Sequence, residues 1–310
     1  MISIRTVSFL VAAILNSFVA SAQQSRADVC PGDDKDFATI QQRAQARDAV
    51  AQMALASCYD LGQHVKPDGK ESIRWLTEAA DQGYEPAEYE LGRIYLYGRG
   101  IPVDYAKAMF WERKAVEQGD LRAERDLAFM YERGFGVDHD EAKSAVWYRK
   151  AAEKGDPKAQ LRLAQALETG DDVPKDEQEA KLWYIKAARQ EVPEAQLRLG
   201  RIYAKQGPVH CRETIEWYGR AALTGDAEPM FELGKLYSDK KCAVEGSSDA
   251  AAYKWFSLGA RFGSEPSKQA AEALGPTLKP AQKRNADHAI ARWLKDYAAR
   301  QKDEEAGEKR

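Results

Sequence analysis

The sequence predicts an all-α protein, an α-solenoid in which six helix-hairpin repeats of about 36 residues form a right-handed superhelix with a C-terminal capping helix. Tryptophan recurs with spacings of 36, 36, 36, 34 and 38 residues, at Trp75, Trp111, Trp147, Trp183, Trp217 and Trp255. A second lattice of the same period carries a Leu, then a small residue, and four positions after the Leu usually a Tyr. No segment of the chain shows the pattern of a strand.

The first element is predicted to be an export signal. Residues 1–22 contain one basic side chain, Arg5, then an apolar run from Val7 to Ala20 and a small-x-small end at residues 20–22. This pattern predicts a cleaved secretory signal. A membrane anchor is the weaker alternative, because the run is shorter than the roughly 20 residues that span a bilayer. Residues 23–47 are expected to form an N-terminal capping segment. The mature protein is expected to be periplasmic, without stable insertion into a membrane.

Residues 48–275 are expected to form the six repeats, each with two helices. In the first helix, Leu and Tyr lie one turn apart beside a small residue where a neighbouring helix can approach. The lattice leucines are Leu55, Leu91, Leu127, Leu163, Leu199 and Leu233. The second helix carries the Trp and is expected to end at a glycine, for example Gly83 or Gly119. Glu191 takes the place of this glycine in the fourth repeat, which predicts a strained turn there.

An acidic residue recurs before the second helix of the first four repeats, at Asp68, Asp104, Asp140 and Asp176. A carboxylate at this position accepts hydrogen bonds from the free N–H groups of the helix and opposes the positive end of its dipole. We therefore interpret the four residues as helix caps, and a row of metal ligands is the alternative.

The end of the chain departs from the repeat pattern. The fifth repeat has Gln206-Gly207-Pro208 in place of its turn, and the sixth has a longer loop with Gly246-Ser247-Ser248. Residues 276–300 are predicted to form the capping helix, whose apolar positions are Ala289, Ile290, Trp293, Leu294 and Tyr297. Residues 301–310 are mostly charged or small and are expected to be a disordered tail.

Charge and cysteine content limit the function. The chain has 46 Lys and Arg against 49 Asp and Glu, and this balance argues against a nucleic-acid partner. An oxidising compartment permits disulfides, and we favour Cys30 with Cys58 and Cys211 with Cys242, because the second pair lies in corresponding loops of successive repeats. A zinc site is the weaker alternative, since no cysteines have C-x-x-C spacing and the histidines are scattered. No metal or cofactor is predicted.

Two segments, 123–152 and 159–188, carry the motif A-x-x-x-L-(G/A)-x-x-Y…G-x-G-V…W-Y-x-K-A-A, the second with Leu167 for the Tyr and Asp172 for the second Gly. This motif resembles that of the Sel-one-like repeat family, which is related to the tetratricopeptide repeats, and the resemblance covers about residues 48 to 275. It implies a scaffold that holds a partner protein, as an adaptor or regulator in the cell envelope.

The resemblance also implies where a partner binds, because tetratricopeptide-like solenoids present their first helices on a concave groove. The residues two before and two after the lattice Leu mix aromatic, aliphatic and cationic groups, which suits a protein interface. Part of this row could instead pack against adjacent helices. The groove candidates are Tyr89, Arg93, Arg125, Phe129, Leu161, Gln165, Leu197, Arg201, Phe231 and Lys235.

A catalytic function is the alternative. Some members of the family have been discussed as penicillin-binding or β-lactamase-like hydrolases, and these carry a cysteine pair inside each repeat. This sequence lacks that pair, has no G-x-S-x-G motif, and has no His pair at a metal-binding spacing. We therefore predict a binding protein without enzymatic activity. The periodic Trp residues are interpreted as core rather than as a ladder for sugars.

Overall fold

The computed structural model describes residues 30–170, 173–239, 242 and 249–308, and in these residues the regular structure is helical, without a strand. The predicted signal at residues 1–22, residues 23–29, and the Gly246-Ser247-Ser248 loop lie outside the described residues. The α-helices are α1 Asp34–Gln45, α2 Ala49–Leu61, α3 Gly69–Ala80, α4 Glu85–Tyr97, α5 Tyr105–Glu117, α6 Leu121–Arg133, α7 Glu141–Glu153, α8 Pro157–Thr169, α9 Glu177–Arg189, α10 Pro193–Lys205, α11 Cys211–Ala221, α12 Ala227–Ser238, α13 Asp249–Arg261, α14 Glu265–Leu274 and α15 Pro280–Glu308.

Each predicted repeat is a hairpin of two helices, from α2 with α3 to α12 with α13, and each pair packs together along its length. The prediction of an all-helical repeat protein is confirmed. The lattice leucines are fully buried between the helices. Short 3-10 helices at Pro208–His210 and Ala222–Thr224 flank α11, where the repeat pattern was weakest.

The helices form two compact units, one ending at Asp156 and the other beginning at Pro157. The first unit contains α1 to α7, and Leu55, Leu91 and Trp111 lie in its main core. The second unit contains α8 to α15, and its core includes Met230, Leu233 and Leu258.

The four periodic aspartates are helix caps, as predicted. Each is the residue before its helix, and its carboxylate accepts hydrogen bonds from N–H groups of the first turn. Asp176, for example, accepts from the N–H of Gln178 at 3.0 Å and of Glu179 at 2.9 Å. The predicted strain at Glu191 is also present, because this residue has a φ of 60°.

The tryptophans pack in the core, although not all to the same depth. Trp75, Trp111, Trp183 and Trp217 are buried, whereas Trp147 and Trp255 are partly buried. Every one of the six rings has a Lys or Arg side chain over its face; Lys186, for example, lies 3.6 Å from the ring centroid of Trp183. The positive charge is attracted to the electron-rich face of the ring.

A row of buried polar side chains also follows the 36-residue period, at Gln52, Glu88, Glu124, Gln160 and Gln196. Several of these bond to the loop that ends their own repeat. Gln118 Nε2 donates to Glu88 at 2.7 Å. Lys154 Nζ donates to Glu124 at 2.8 Å. The row therefore ties the first helix to the loop that leads into the next repeat, and its hydrogen bonds offset the cost of burying polar groups.

The C-terminal helix caps the second unit, as predicted. Ile290 enters the core, and Trp293 stacks on Tyr297 with centroids 5.3 Å apart. Two differences from the sequence prediction appear. Helix α14 precedes the cap, and α15 continues to Glu308 where a disordered tail from residue 301 was expected. The tail contains Gln, Lys, Glu and Ala, which are strong helix formers, so an existing helix extends through it at little cost.

Two disulfides join Cys30 to Cys58 and Cys211 to Cys242, with Cα atoms 4.9 and 5.7 Å apart. The first fixes the segment before α1 to α2, and the second fixes the start of α11 to the segment after α12. Among the described residues, no helix combines the length and apolarity that a membrane crossing requires.

Candidate partner-binding groove

The first helices of the second unit line a cleft of about 790 Å³. Its walls are one face of α8, one face of α10 and the start of α12. The residues at 158, 161, 162 and 165 on α8, and those at 194, 197, 198 and 201 on α10, follow an i, i+3, i+4, i+7 pattern and therefore share a face. They are Lys158, Leu161, Arg162, Gln165, Val192, Pro193, Glu194, Leu197, Arg198, Arg201, Ala221, Asp226 and Glu228.

Four of the ten groove candidates meet in this cleft: Leu161, Gln165, Leu197 and Arg201. Leu197 is buried and forms part of the floor, while the other three are partly exposed. Gln165 Nε2 donates to Glu194 at 2.7 Å, and Arg201 forms an ion pair with Glu228. The cleft thus has an apolar floor and a polar rim, which is the usual anatomy of a protein interface.

The two remaining candidates of the second unit, Phe231 and Lys235, lie on α12 and do not line the cleft. Phe231 packs near Phe256, with centroids 5.8 Å apart, and Lys235 forms an ion pair with Glu232 at 2.9 Å. Lys235 also lies over the ring of Phe231. These two residues form a separate, small cation–aromatic patch.

In the first unit, Tyr89 and Arg125 belong to a buried polar network. The Tyr89 hydroxyl donates to Asp126 at 3.2 Å, and Arg125 binds Asp126 at 3.0 Å and Asp156 at 2.8 Å. Burial raises the pKa of Tyr89, so its hydroxyl stays protonated as a donor. The network joins α4 to α6 and to the loop after α7, and it places these two candidates in the packing between repeats.

Arg93 and Phe129 remain partly exposed in the first unit. The Arg93 guanidinium lies 5.8 Å from the ring centroid of Tyr89 and 5.6 Å from that of Tyr97. Phe129 packs edge-on to Phe135, with centroids 5.7 Å apart. Tyr97, which is not one of the ten groove candidates, is half exposed beside Arg93.

Beneath this surface lies Glu112 on α5, with a relative exposure of 0%. Neither of its carboxylate oxygens has a hydrogen-bond partner. Desolvation, followed by the negative charges of Asp126 and Asp120, raises its pKa well above the usual value. Glu112 occupies the position where the other repeats hold Leu76, Tyr148, Tyr184, Tyr218 and Phe256.

A second perturbed pair lies at the start of α6. Burial and the neighbouring Asp120 raise the pKa of Glu85 to about 8, while Arg122 and a hydrogen bond from Glu85 hold the pKa of Asp120 at about 2, against the effect of burial. Asp120 also caps α6. Arg122 binds both carboxyl groups and covers the ring of Tyr89 at 4.2 Å. This arrangement stabilises the junction between repeats.

Most of the charged rim of the cleft was not predicted from the sequence, including Lys158, Arg162, Glu194 and Arg198. The signal was available, because each of these residues lies three positions before a groove candidate on the same helix face. Lys158 and Glu194 precede Leu161 and Leu197, and Arg162 and Arg198 precede Gln165 and Arg201. In the part of the chain that the structure describes, no group of three or more His, Cys, Asp or Glu side chains could hold a metal ion.

Comparison with known proteins identifies the repeats. The Sel1 repeat matches six consecutive segments, residues 49–84, 85–120, 121–156, 157–192, 193–226 and 230–263. The chain belongs to the Sel1 repeat family. Sel1 repeats mediate protein–protein interaction, and proteins of this family are generally non-enzymatic scaffolds. The comparison with curated proteins gave no match.

Two solved structures of Sel1-type proteins resemble the chain. One is c5321, a protective antigen of uropathogenic Escherichia coli with an SLR fold, which is 30% identical with a TM-score of 0.68 over 85% of this chain. This chain spans only 56% of that structure's length. The other is a Sel1 repeat protein from Oxalobacter formigenes, 31% identical with a TM-score of 0.60, over 70% of this chain and 89% of that one.

Proposed function

We propose that this Sel1 repeat protein is an exported scaffold that binds a partner protein through the exposed faces of its first helices, as an adaptor or regulator in the cell envelope. The observation that carries the proposal is the cleft between α8, α10 and the start of α12. It brings four groove candidates from two successive repeats onto one concave surface with an apolar floor. Concave sites of this kind suit a segment of another protein.

Obstruction of the cleft tests this function. Leu161→Trp places a large side chain in the cleft, and because Leu161 is partly exposed the fold should tolerate it. The tagged chain, incubated with envelope extract, should retain a specific partner that the variant does not retain. The control is Leu182→Trp on α9, since Leu182 is 60% exposed and does not line the cleft. Equal capture by both variants and the parent chain would refute the role of the cleft.

Export is the second part of the proposal. The two disulfides support it, because such bonds persist in oxidising compartments and are rare in the cytosol. N-terminal sequencing of the protein from the periplasmic fraction should begin at Gln23. Recovery of the full-length chain from the cytosol with free thiols would contradict export.

The proposal includes no hydrolase activity. The purified protein should therefore not turn over nitrocefin, the substrate that would report a β-lactamase-like site. Robust turnover that survives further purification would overturn the scaffold function in favour of the hydrolase alternative.

A further inference from the structure

The charges that line the cleft of the second unit indicate what kind of segment it accepts. We propose that the occupant is an acidic segment of the partner protein, with carboxylates that pair with Lys158, Arg162 and Arg198 and apolar side chains that rest on the floor. This inference rests on the proposed function, since it names the chemistry of the partner at the same site.

Two of the four cations that line the cleft have no acidic partner among the described residues. Lys158 and Arg162 are exposed on one face of α8, and neither forms an ion pair with a described residue. The Arg162 guanidinium makes a single long hydrogen bond, 3.5 Å to Gln165 Oε1. Arg198 lies one repeat further, at the equivalent position on α10.

Arg198 is only partly satisfied. Its guanidinium lies 3.5 Å from Oε2 of Glu168. The same oxygen accepts a hydrogen bond from the Tyr184 hydroxyl at 2.6 Å. The Nε of Arg198 is buried without a hydrogen-bond partner. A buried donor without an acceptor is costly. A carboxylate in the cleft would give the Arg198 guanidinium a closer partner than its 3.5 Å contact with Glu168.

The acidic residues of the cleft are already engaged. Glu194 accepts the Gln165 amide at 2.7 Å, and Glu228 forms an ion pair with Arg201. Asp226 caps α12 through the N–H of Glu228 at 3.0 Å. The lining contains four basic residues against three acidic ones, so its net charge is positive.

The floor selects for apolar side chains between the carboxylates. Leu197 and Ala221 are buried, and Leu161, Val192 and Pro193 are the other apolar residues that line the cleft. A segment with alternating acidic and apolar residues would contact both the apolar floor and the cations of the cleft, because the side chains of an extended chain point alternately to opposite sides. Arg favours such partners because its planar fork binds a carboxylate through two hydrogen bonds.

The test uses the full chain and three labelled peptides, which alternate Leu with Glu, with Gln or with Lys. The Glu peptide should bind, with a Kd that rises with salt concentration, and the Gln and Lys peptides should bind at least tenfold more weakly. In the double variant Lys158→Ala/Arg162→Ala, the Kd for the Glu peptide should rise roughly tenfold. The matched control is Lys283→Ala/Arg284→Ala, which removes the same two side-chain types from exposed positions on α15.

The outcomes separate this inference from the proposed function. If the Gln or Lys peptide binds as well as the Glu peptide and Leu161→Trp abolishes that binding, the cleft is a binding site and the acidic partner is wrong. If none of the peptides binds, or if the Glu peptide binds equally to the parent chain and to the Lys158→Ala/Arg162→Ala variant, the inference is overturned. An equal loss in the α15 control would also overturn it, since net charge would then explain the effect.

Discussion

Replacement of Glu112 with Phe should stabilise the first compact unit. The carboxyl group is fully buried and both of its oxygens lack a hydrogen-bond partner, so it contributes a desolvation cost without a compensating bond. An aromatic residue suits the position. Gly234 leaves room for Phe256 at the same position of the sixth repeat, and Gly92 leaves the equivalent space opposite Glu112.

The magnitude follows from three terms. Removing an unsatisfied buried polar group recovers about 1–3 kcal/mol, and burial of the ring contributes about 1.5–3 kcal/mol. Imperfect fit of the larger side chain costs about 1–3 kcal/mol. The net expectation is a gain of about 1–3 kcal/mol at neutral pH, which corresponds to a rise of about 4 °C in Tm for each kcal/mol.

The gain should depend on pH. Because its folded-state pKa is raised, Glu112 binds its proton more tightly in the folded chain than in the unfolded chain. Its contribution to the free energy of unfolding is therefore most favourable below the unfolded pKa of about 4.5. This contribution is lost as the pH rises toward the folded-state pKa. Asp126 and Asp120 favour this proton, whereas Arg93 and Arg125 oppose it. The advantage of the Phe variant should therefore grow between about pH 4.5 and the folded pKa.

Thermal melts across this pH range, with hydrogen exchange of the α5 amides as a local probe, measure the effect. Glu112→Gln is the control, since it keeps the size and removes the titration while leaving a polar group without a partner. A Phe variant that is less stable than the parent at every pH would refute the packing argument. A pH-independent difference between the parent and the Gln variant would refute the assignment of the raised pKa.

Three further changes test the fold. Trp111→Ala should cost about 3–5 kcal/mol in a denaturant melt, because the ring is buried in the main core; a loss below about 1 kcal/mol would contradict that role. Asp176→Ala should cost about 1 kcal/mol through loss of the cap of α9, whereas Asp176→Asn should retain most of it. Cys211→Ser/Cys242→Ser should lower stability by about 2–4 kcal/mol, and peptide mapping without reduction should recover the two cysteines linked in the parent chain.

The sequence predicted the backbone well because the residues that define the repeat are those that the hairpins bury. Leu, Trp and the small residues recur at fixed positions, and the caps and glycines mark the helix ends. The buried polar row was missed, because Gln52 and Glu88 look like ordinary surface residues and only the packed loops supply their partners. The length of α15 was not predicted, because the high charge of residues 301–310 was taken to indicate disorder and the helix propensity of the same residues was not considered.

The candidate site was predicted only in part, because burial at a repeat position depends on its neighbours. Leu161 and Leu197 occupy equivalent positions, yet Leu197 is buried and Leu161 is partly exposed. Tyr is a residue type that often anchors protein interfaces. The Tyr89 hydroxyl, however, donates a hydrogen bond to Asp126 on the first helix of the next repeat, and the side chain is buried. Periodicity identifies which residues share the groove face of a helix. The contacts of each side chain decide whether it is available to a partner.

One exchange between repeats explains why the free positive charge lies in the second unit. In the third repeat, Asp126 and Asp156 hold Arg125, and the charges are satisfied within the chain. One period later, these three positions are occupied by Leu161, Arg162 and Val192. The two acids are replaced by a cation and an apolar residue, so Arg162 has no carboxylate from these positions and remains exposed beside an apolar floor. The same helical position therefore contributes to packing where its neighbours are acidic and is available for recognition where they are not.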